Sequence, residues 1–198
     1  MHVGCLMIRK LFGLCVIVAA LSGVAANAAD FASLEWGEFK LDAESAVKPK
    51  SISVVNGDKQ LSLTMALDGL VAHADGGKTE NASSFSGEFI IQQPHYITLP
   101  AVDIEIKGFI VKTAGSTATL DITVGNIKQQ IAWKADEVVS GPFTRTFTAP
   151  VAAGQLPAPF PVAATAIVNN NGNSGAILVS LESIDVKIGR VRLASNGF

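Results

Sequence analysis

Few side chains in this 198-residue sequence are equipped for chemistry. His73 and Asp75 stand two apart, so an extended strand would put both on one face. Glu80 and Asn81 close the polar stretch that Asp75-Gly76-Gly77 opens and that runs to Ser84. An imidazole nitrogen with carboxylate oxygens suits a divalent ion, which makes His73, Asp75 and Glu80 the candidate metal ligands. The Asp-x-[Asp/Asn]-x-[Asp/Asn]-Gly order of a calcium loop is absent, and the plainer reading is a solvated hairpin tip with glycine at positive φ. A second candidate set would hold an organic ligand. His95 and Tyr96 follow Pro94 in a turn between strands, where a rigid sheet displays binding groups. Trp36 offers a ring that could stack on a sugar. Trp133 offers one too, but it shares parity with Ile127 and Ile131, and Trp36 shares parity with Leu34 beside a bulge at Gly37, so a core place is the plainer reading for both.

Catalytic material is thin. Beyond the first 28 residues there are two histidines, His73 and His95, and one tyrosine. Neither a Gly-x-Ser-x-Gly elbow nor a His-Glu-x-x-His helix is present. The sequence therefore points away from an enzyme and calls for no cofactor. Threonine rows (Thr117, Thr119 and Thr123; Thr144, Thr146 and Thr148) resemble ice-binding surfaces, but they do not recur as a repeat. Such rows are also what a solvent-facing strand looks like.

Residues 1–28 read as a secretory signal peptide. Arg9 and Lys10 precede an apolar run over 11–24, and Ala26-Asn27-Ala28 supplies a small-x-small cleavage site. The expected product is residues 29–198, secreted, periplasmic or on the cell surface. Both cysteines, Cys5 and Cys15, fall inside the leader, so this product holds no disulfide and relies on its hydrophobic core. No cluster of cations suits nucleic acid. No second apolar stretch reaches membrane-spanning length. Phe198 resembles the terminal aromatic of outer-membrane barrels, but Arg190, Arg192 and Asn196 share its parity, which argues against one.

The elements that must position these residues are strands. Leu61, Leu63, Met65 and Leu67 share one parity; Phe85, Phe89 and Ile91 repeat the pattern, as do Val102, Ile104 and Ile106. Ala118, Leu120, Ile122 and Val124 continue it, and so do Ile177, Val179 and Leu181. This period of two marks sheets with one buried face. Helical periodicity is confined to one turn at most, over 43–47, limited by Pro49. Asn56-Gly57 signals a hairpin, Gly125-Asn126 divides two strands, and Asn169 to Gly175 (NNNGNSG) has the composition of a flexible loop. The phase switches between Leu181 and Ile184, and again between Ile188 and Val191. These switches imply bulges near Ser183 and Gly189 in a bent strand over 176–193 that could cross between sheets. Prolines 150, 157, 159 and 161 make 149–161 a long connection within one domain.

The expectation is an all-β chain. It forms a single antiparallel β-sandwich of Greek-key or jelly-roll type with nine or ten strands, and a closed β-barrel is the alternative. Functionally the sequence points first to an exported structural or adhesive domain (filament subunit, matrix component or adhesin), with self-association or cell-surface components as partners. A binding module for carbohydrate or an apolar ligand is the alternative.

Overall fold

A strand can hide only one of its faces, so alternating runs must pair into sheets and the sheets must stack. The computed structural model describes residues 35–56, 60–76, 80–92, 102–149 and 159–189. Ten strands run through them: β1 (Glu35–Leu41), β2 (Pro49–Asn56), β3 (Gln60–Ala74), β4 (Glu80–Gln92), β5 (Val102–Lys112), β6 (Thr117–Val124), β7 (Ile127–Trp133), β8 (Val139–Ala149), β9 (Phe160–Asn169) and β10 (Ile177–Gly189). Sheet A has the order β1-β4-β9-β6-β7 and sheet B the order β2-β3-β10-β5-β8. Every pairing is antiparallel. The last eight strands wind as a jelly roll, with β3-β10-β5-β8 stacked on β4-β9-β6-β7, and β1 and β2 each add an outer strand to one sheet. Among the described residues each sheet is open, with β1 and β7 at the ends of one and β2 and β8 at the ends of the other, so the two sheets pack as a sandwich and do not close into the alternative barrel.

The parity read from sequence is the parity that is buried. Leu61, Leu63, Met65, Ile104, Ile106, Val186 and Ile188 of sheet B meet Phe85, Phe89, Leu120, Val162, Ala164 and Val168 of sheet A. Full burial stabilises by roughly 1.5–3 kcal/mol per large apolar side chain. Small positions in this layer receive neighbouring rings. The Phe39 ring lies on Gly87, between Phe85 at 6.1 Å and Phe89 at 4.8 Å. The Phe143 ring lies on Gly108 and meets Trp133 edge-on at 5.3 Å. Each contact ties an outer strand, β1 or β8, to its neighbour.

Several details differ from the sequence reading. The polar stretch to Ser84 is not all loop, because β4 already begins at Glu80. The 43–47 stretch is a turn closed by Ser45 N–H donating to Asp42 O at 3.1 Å, not a helical one. The β10 strand does not cross between sheets: it pairs with β3 on one side and β5 on the other along its whole length. Its register does shift between Leu181 and Ser183, as the phase switch implied. The shift is matched on β3, where Leu70 faces Leu181 and Ala66 faces Ser183, so Asp68 and Gly69 fall in an irregular stretch. Gly69 sits at φ +97°, which glycine alone adopts freely. The Gly189 switch leads beyond the described residues. The strands flanking the proline-rich stretch, β8 and β9, lie in opposite sheets of the sandwich.

The β3–β4, β5–β6, β7–β8 and β9–β10 connections gather at one end of the sandwich, as the facing pairs Ala74/Ile177, Lys112/Val139 and Thr117/Asn169 require. The asparagine-rich loop organises this end instead of fraying from it. Asn170 is buried; its Nδ2 donates to Asp75 O at 2.7 Å and its Oδ1 accepts from Gly172 N–H at 3.0 Å. Asn171 Nδ2 donates to Gly115 O at 2.6 Å, and Gly115 N–H donates to Ala135 O at 2.7 Å. An amide side chain both donates and accepts, so a row of asparagines can link loops that share no sheet ladder. Lys112 sits on the inward parity of β5 and is 1% exposed. Its Nζ donates to the carbonyls of Thr113, at 3.3 Å, and Glu137. Burial pushes its pKa below the usual lysine value, against the opposing pull of the Glu137 and Asp136 carboxylates.

Two predictions follow from this packing. A Cβ at residue 108 would lie 2.1 Å from Ser180 O and 2.6 Å from the Phe143 ring. Gly108→Ala should therefore lose about 1–3 kcal/mol in urea unfolding, while Gly76→Ala, with no neighbour closer than 3.7 Å, should lose little. For Lys112, the unfolded chain binds more protons than the folded one between the lowered folded pKa and the ordinary lysine value of 10.5. Wild-type stability relative to Lys112→Met should rise with pH across that window. Parallel pH profiles for the two proteins would refute the burial argument.

Candidate functional site

Alternation also dictates the outer faces, which should be polar. On sheet A they largely are: Thr117, Thr119, Asp121 and Thr123 of β6 face outward beside Ser84, Ser86 and Thr165. Gln130 Nε2 there donates to Asp121 Oδ1 at 2.7 Å. On sheet B, apart from Val55 on the end strand β2, the rule fails at one place. Two adjacent cross-strand rows, Val71–Ser180–Phe109–Pro142 and His73–Leu178–Val111–Ser140, run outward over β3, β10, β5 and β8. Five of these eight side chains are apolar. Val71 is 39% exposed, Pro142 is exposed, and Phe109, Val111 and Leu178 are half-buried against one another's strands. Strand spacing makes the patch about 14 Å across and about 7 Å along the strands.

Below the patch the same face turns hydrophilic. Lys107 Nζ lies 2.8 Å from Glu105 Oε1 and 3.9 Å from Asp185 Oδ2. Ser183 Oγ donates to Asp185 Oδ2 at 3.4 Å, and Thr148 Oγ1 donates to Asp103 Oδ1 at 2.7 Å. Thr144 and Thr146 flank this row on β8, and Glu182 is exposed at the register shift. The hydrogen bond and charge of Lys107 hold the Glu105 carboxyl below its usual range, and Glu105 raises Lys107 in turn. Both groups are exposed, so water screens the pair and it contributes little to stability. Its consequence is a fixed array of donors and acceptors beside an apolar platform.

The structure disperses the sequence-derived candidates. His73 faces outward on sheet B, in the platform's outer row. Glu80 pairs with Asn169 on the outward parity of sheet A, so the two stand on opposite faces of the sandwich. Asp75 lies in the turn between them, where its carbonyl accepts from Asn170. Stacked sheets are about 10 Å apart, and His73, Asp75 and Glu80 do not converge. Among the described residues no group of three or more His, Cys, Asp or Glu could hold a metal ion. Asn81 Nδ2 donates to His73 O at 2.8 Å, a contact that ties β4 to β3. The backbone of Trp36 pairs with Ile91, and the register shift between Trp36 and Phe39 is the bulge expected at Gly37. The Trp36 side chain, His95 and Tyr96 lie outside the described residues. Trp133 is in the core, as its parity implied.

Apart from His73, which the sequence offered as a metal ligand, the platform residues were missed because none belongs to a motif. The available signal was negative: Phe109-Ile110-Val111 is a continuous apolar run inside an alternating strand. One of its parities must face water.

No protein-family model matches the chain, and no curated protein matches it. Among solved structures it is similar to dimeric latent PorU from Porphyromonas gingivalis, at 10% identity and a TM-score of 0.34 over 82% of this chain and 13% of that one. It is also similar to CBM27-1 of Caldicellulosiruptor saccharolyticus in complex with mannohexaose, at 10% identity and a TM-score of 0.33 over 78% of this chain and 89% of that one. A third is TmCBM61 in complex with beta-1,4-galactotriose, at 13% identity and a TM-score of 0.25 over 81% of this chain and 91% of that one.

Proposed function

We propose that this chain is an exported, non-catalytic binding module that takes carbohydrate on the outer face of sheet B. The observation that carries the reading is the outward apolar cluster of Val71, Phe109, Val111, Pro142 and Leu178. A sugar ring has an apolar C–H face and a rim of hydroxyls. It needs a flat apolar platform with donors and acceptors at the margin. Ser180, Ser140 and His73 share the platform rows, Lys107 and Thr144 border them, Glu182 is exposed at the register shift, and Glu105 stands one row further where it pairs with Lys107. Binding sites of this kind are mostly apolar with a few placed polar groups. The inward side chains of both sheets join in one buried hydrophobic cluster. Display on an outer face is in keeping with a leader at 1–28 that would carry the module out of the cytoplasm.

The test is a binding screen against soluble oligosaccharides and insoluble polysaccharides, followed by calorimetry. A glycan should bind saturably, and Phe109→Ala should weaken it about tenfold or more. Thr119→Ala, on the outer face of sheet A, should leave affinity unchanged. No saturable glycan binding, or undiminished binding by Phe109→Ala, would overturn the proposal. Saturable binding of a fatty acid or apolar dye in its place would transfer the platform to an apolar ligand.

A further inference from the structure

We infer that β2 is a docking edge for a second copy of this chain, pairing antiparallel across a two-fold axis at Ser53. A free sheet edge presents unpaired N–H and C=O groups, and proteins usually blunt it with charge, proline or a bulge. Among the described residues, three of the four edges are blunted. Along β1 run Glu38, Lys40 and a bulge; β7 carries Lys128, Gln129 and Gln130; β8 carries Pro142 and Arg145. Pro49 and the irregular Lys50 protect only the start of β2, and Ser51-Ile52-Ser53-Val54-Val55 follows without a charge or a break.

These five residues are also the most exposed apolar stretch of any described strand. Ile52 and Val54 face the core residues Met65 and Leu63 across the ladder, so they lie on the inner face, yet they are 36% and 42% exposed. Strand β2 lies at the margin of the sandwich, and its inner face is only partly covered. Val55, on the outer face, is 54% exposed.

The strand is complementary to itself in one register. An axis at Ser53 puts Ile52 opposite Val54 on the inner face, twice over, and Val55 opposite Ser51 on the outer face. Lys50 falls opposite Asn56, not opposite its own copy. The two Lys50 residues end about 20 Å apart at 3.3–3.4 Å per residue, beyond the screening length of about 8 Å at physiological salt. Lys50 also keeps its own counterion, Asp68 Oδ2, at 3.9 Å. Apolar groups therefore meet apolar groups and no like charges are brought together. This edge is separate from the outer-face platform, so either assignment can fail alone.

The experiment combines light scattering with cross-linking. Wild-type mass should rise toward twice the monomer over a hundredfold concentration series. Ile52→Lys/Val54→Lys, at side chains 36% and 42% exposed, should stay monomeric at every concentration while keeping the far-UV circular dichroism of a folded β-sandwich. Ser53→Cys should cross-link under mild oxidation well above the parent chain, whose Cys5 and Cys15 set the background, because facing Cα atoms about 4.5–5.5 Å apart suit a disulfide. Val55→Cys should remain at background, since it faces Ser51. A wild-type monomer at all concentrations, a dimer that survives the double lysine, or equal cross-linking at both positions would overturn the proposal. A monomer whose β2 amides resist hydrogen exchange would assign the edge to another segment of the same chain.

Discussion

The register shift shared by β3 and β10 is the constraint on which the surface of sheet B depends. Upstream of it the odd residues of β3, from Leu61 to Leu67, face the core; beyond it the even residues Leu70, Ala72 and Ala74 do. On β10 the switch runs from Ile177, Val179 and Leu181 to Ile184, Val186 and Ile188. An isolated slip in either strand would turn a row of apolar side chains into water along half the sheet. Because both strands break at the same level, both halves stay buried. The shift also decides what is displayed: Val71 and His73 face outward only because they lie past it, and Leu178 and Ser180 occupy the matching half of β10. Strand β5 runs through with unbroken parity and brings Phe109 and Val111 to the same rows.

This explains which parts of the fold were legible from sequence. Parity is a local property, and Leu61 to Leu67, Val102 to Ile106 and Thr117 to Val124 declared their buried faces without any knowledge of partners. The β10 switch was equally visible, because Leu181 and Ile184 cannot share one face of a regular strand. The β3 counterpart was not. Asp68-Gly69 has turn chemistry, and only the presence of β10 alongside makes it an irregularity inside one 15-residue strand. The loop at Asn169 to Gly175 misled for a related reason. Its composition suits an unattached loop, but Asn170 and Asn171 donate to carbonyls on neighbouring connections while Asn169 and Asn173 bond within the loop. Such partners come from tertiary placement, which composition does not encode. The same holds for His73 and Glu80. Their sequence proximity suggested a shared site, and the crossing from sheet B to sheet A put them on opposite faces.

Stability and display are assigned to different parts of the molecule. The ring contacts of Phe39 on Gly87 and Phe143 on Gly108 hold two outer strands, and the asparagine and lysine network holds the loop end. None of these groups contributes to the outer face of sheet B. That face carries the costs that the core does not need: apolar side chains in water and charged groups that contribute little to stability through their pairing. A surface that departs from the alternation rule on four neighbouring strands at one level is better explained by something that binds there than by folding.

The exposed edge and the platform belong to the same sheet, and their geometry is linked. A two-fold axis through facing residues of an antiparallel pair stands perpendicular to the sheet, so outer faces remain on one side. Two copies joined at β2 would form one ten-stranded sheet with both platforms facing the same way. Strand β10 lies two positions from β2 in each copy, which separates the two β10 strands by about 24 Å across the sheet. The platforms lie toward opposite ends of the strands, because the axis reverses strand direction. Such spacing is too wide for one small molecule to bridge and well matched to a polymer. A chain of repeated sugars held at one platform would reach the other at high effective concentration, and two weak sites would act as one strong one. A shallow platform with few charges would then suffice for retention on a polymeric surface, without a deep pocket in either copy.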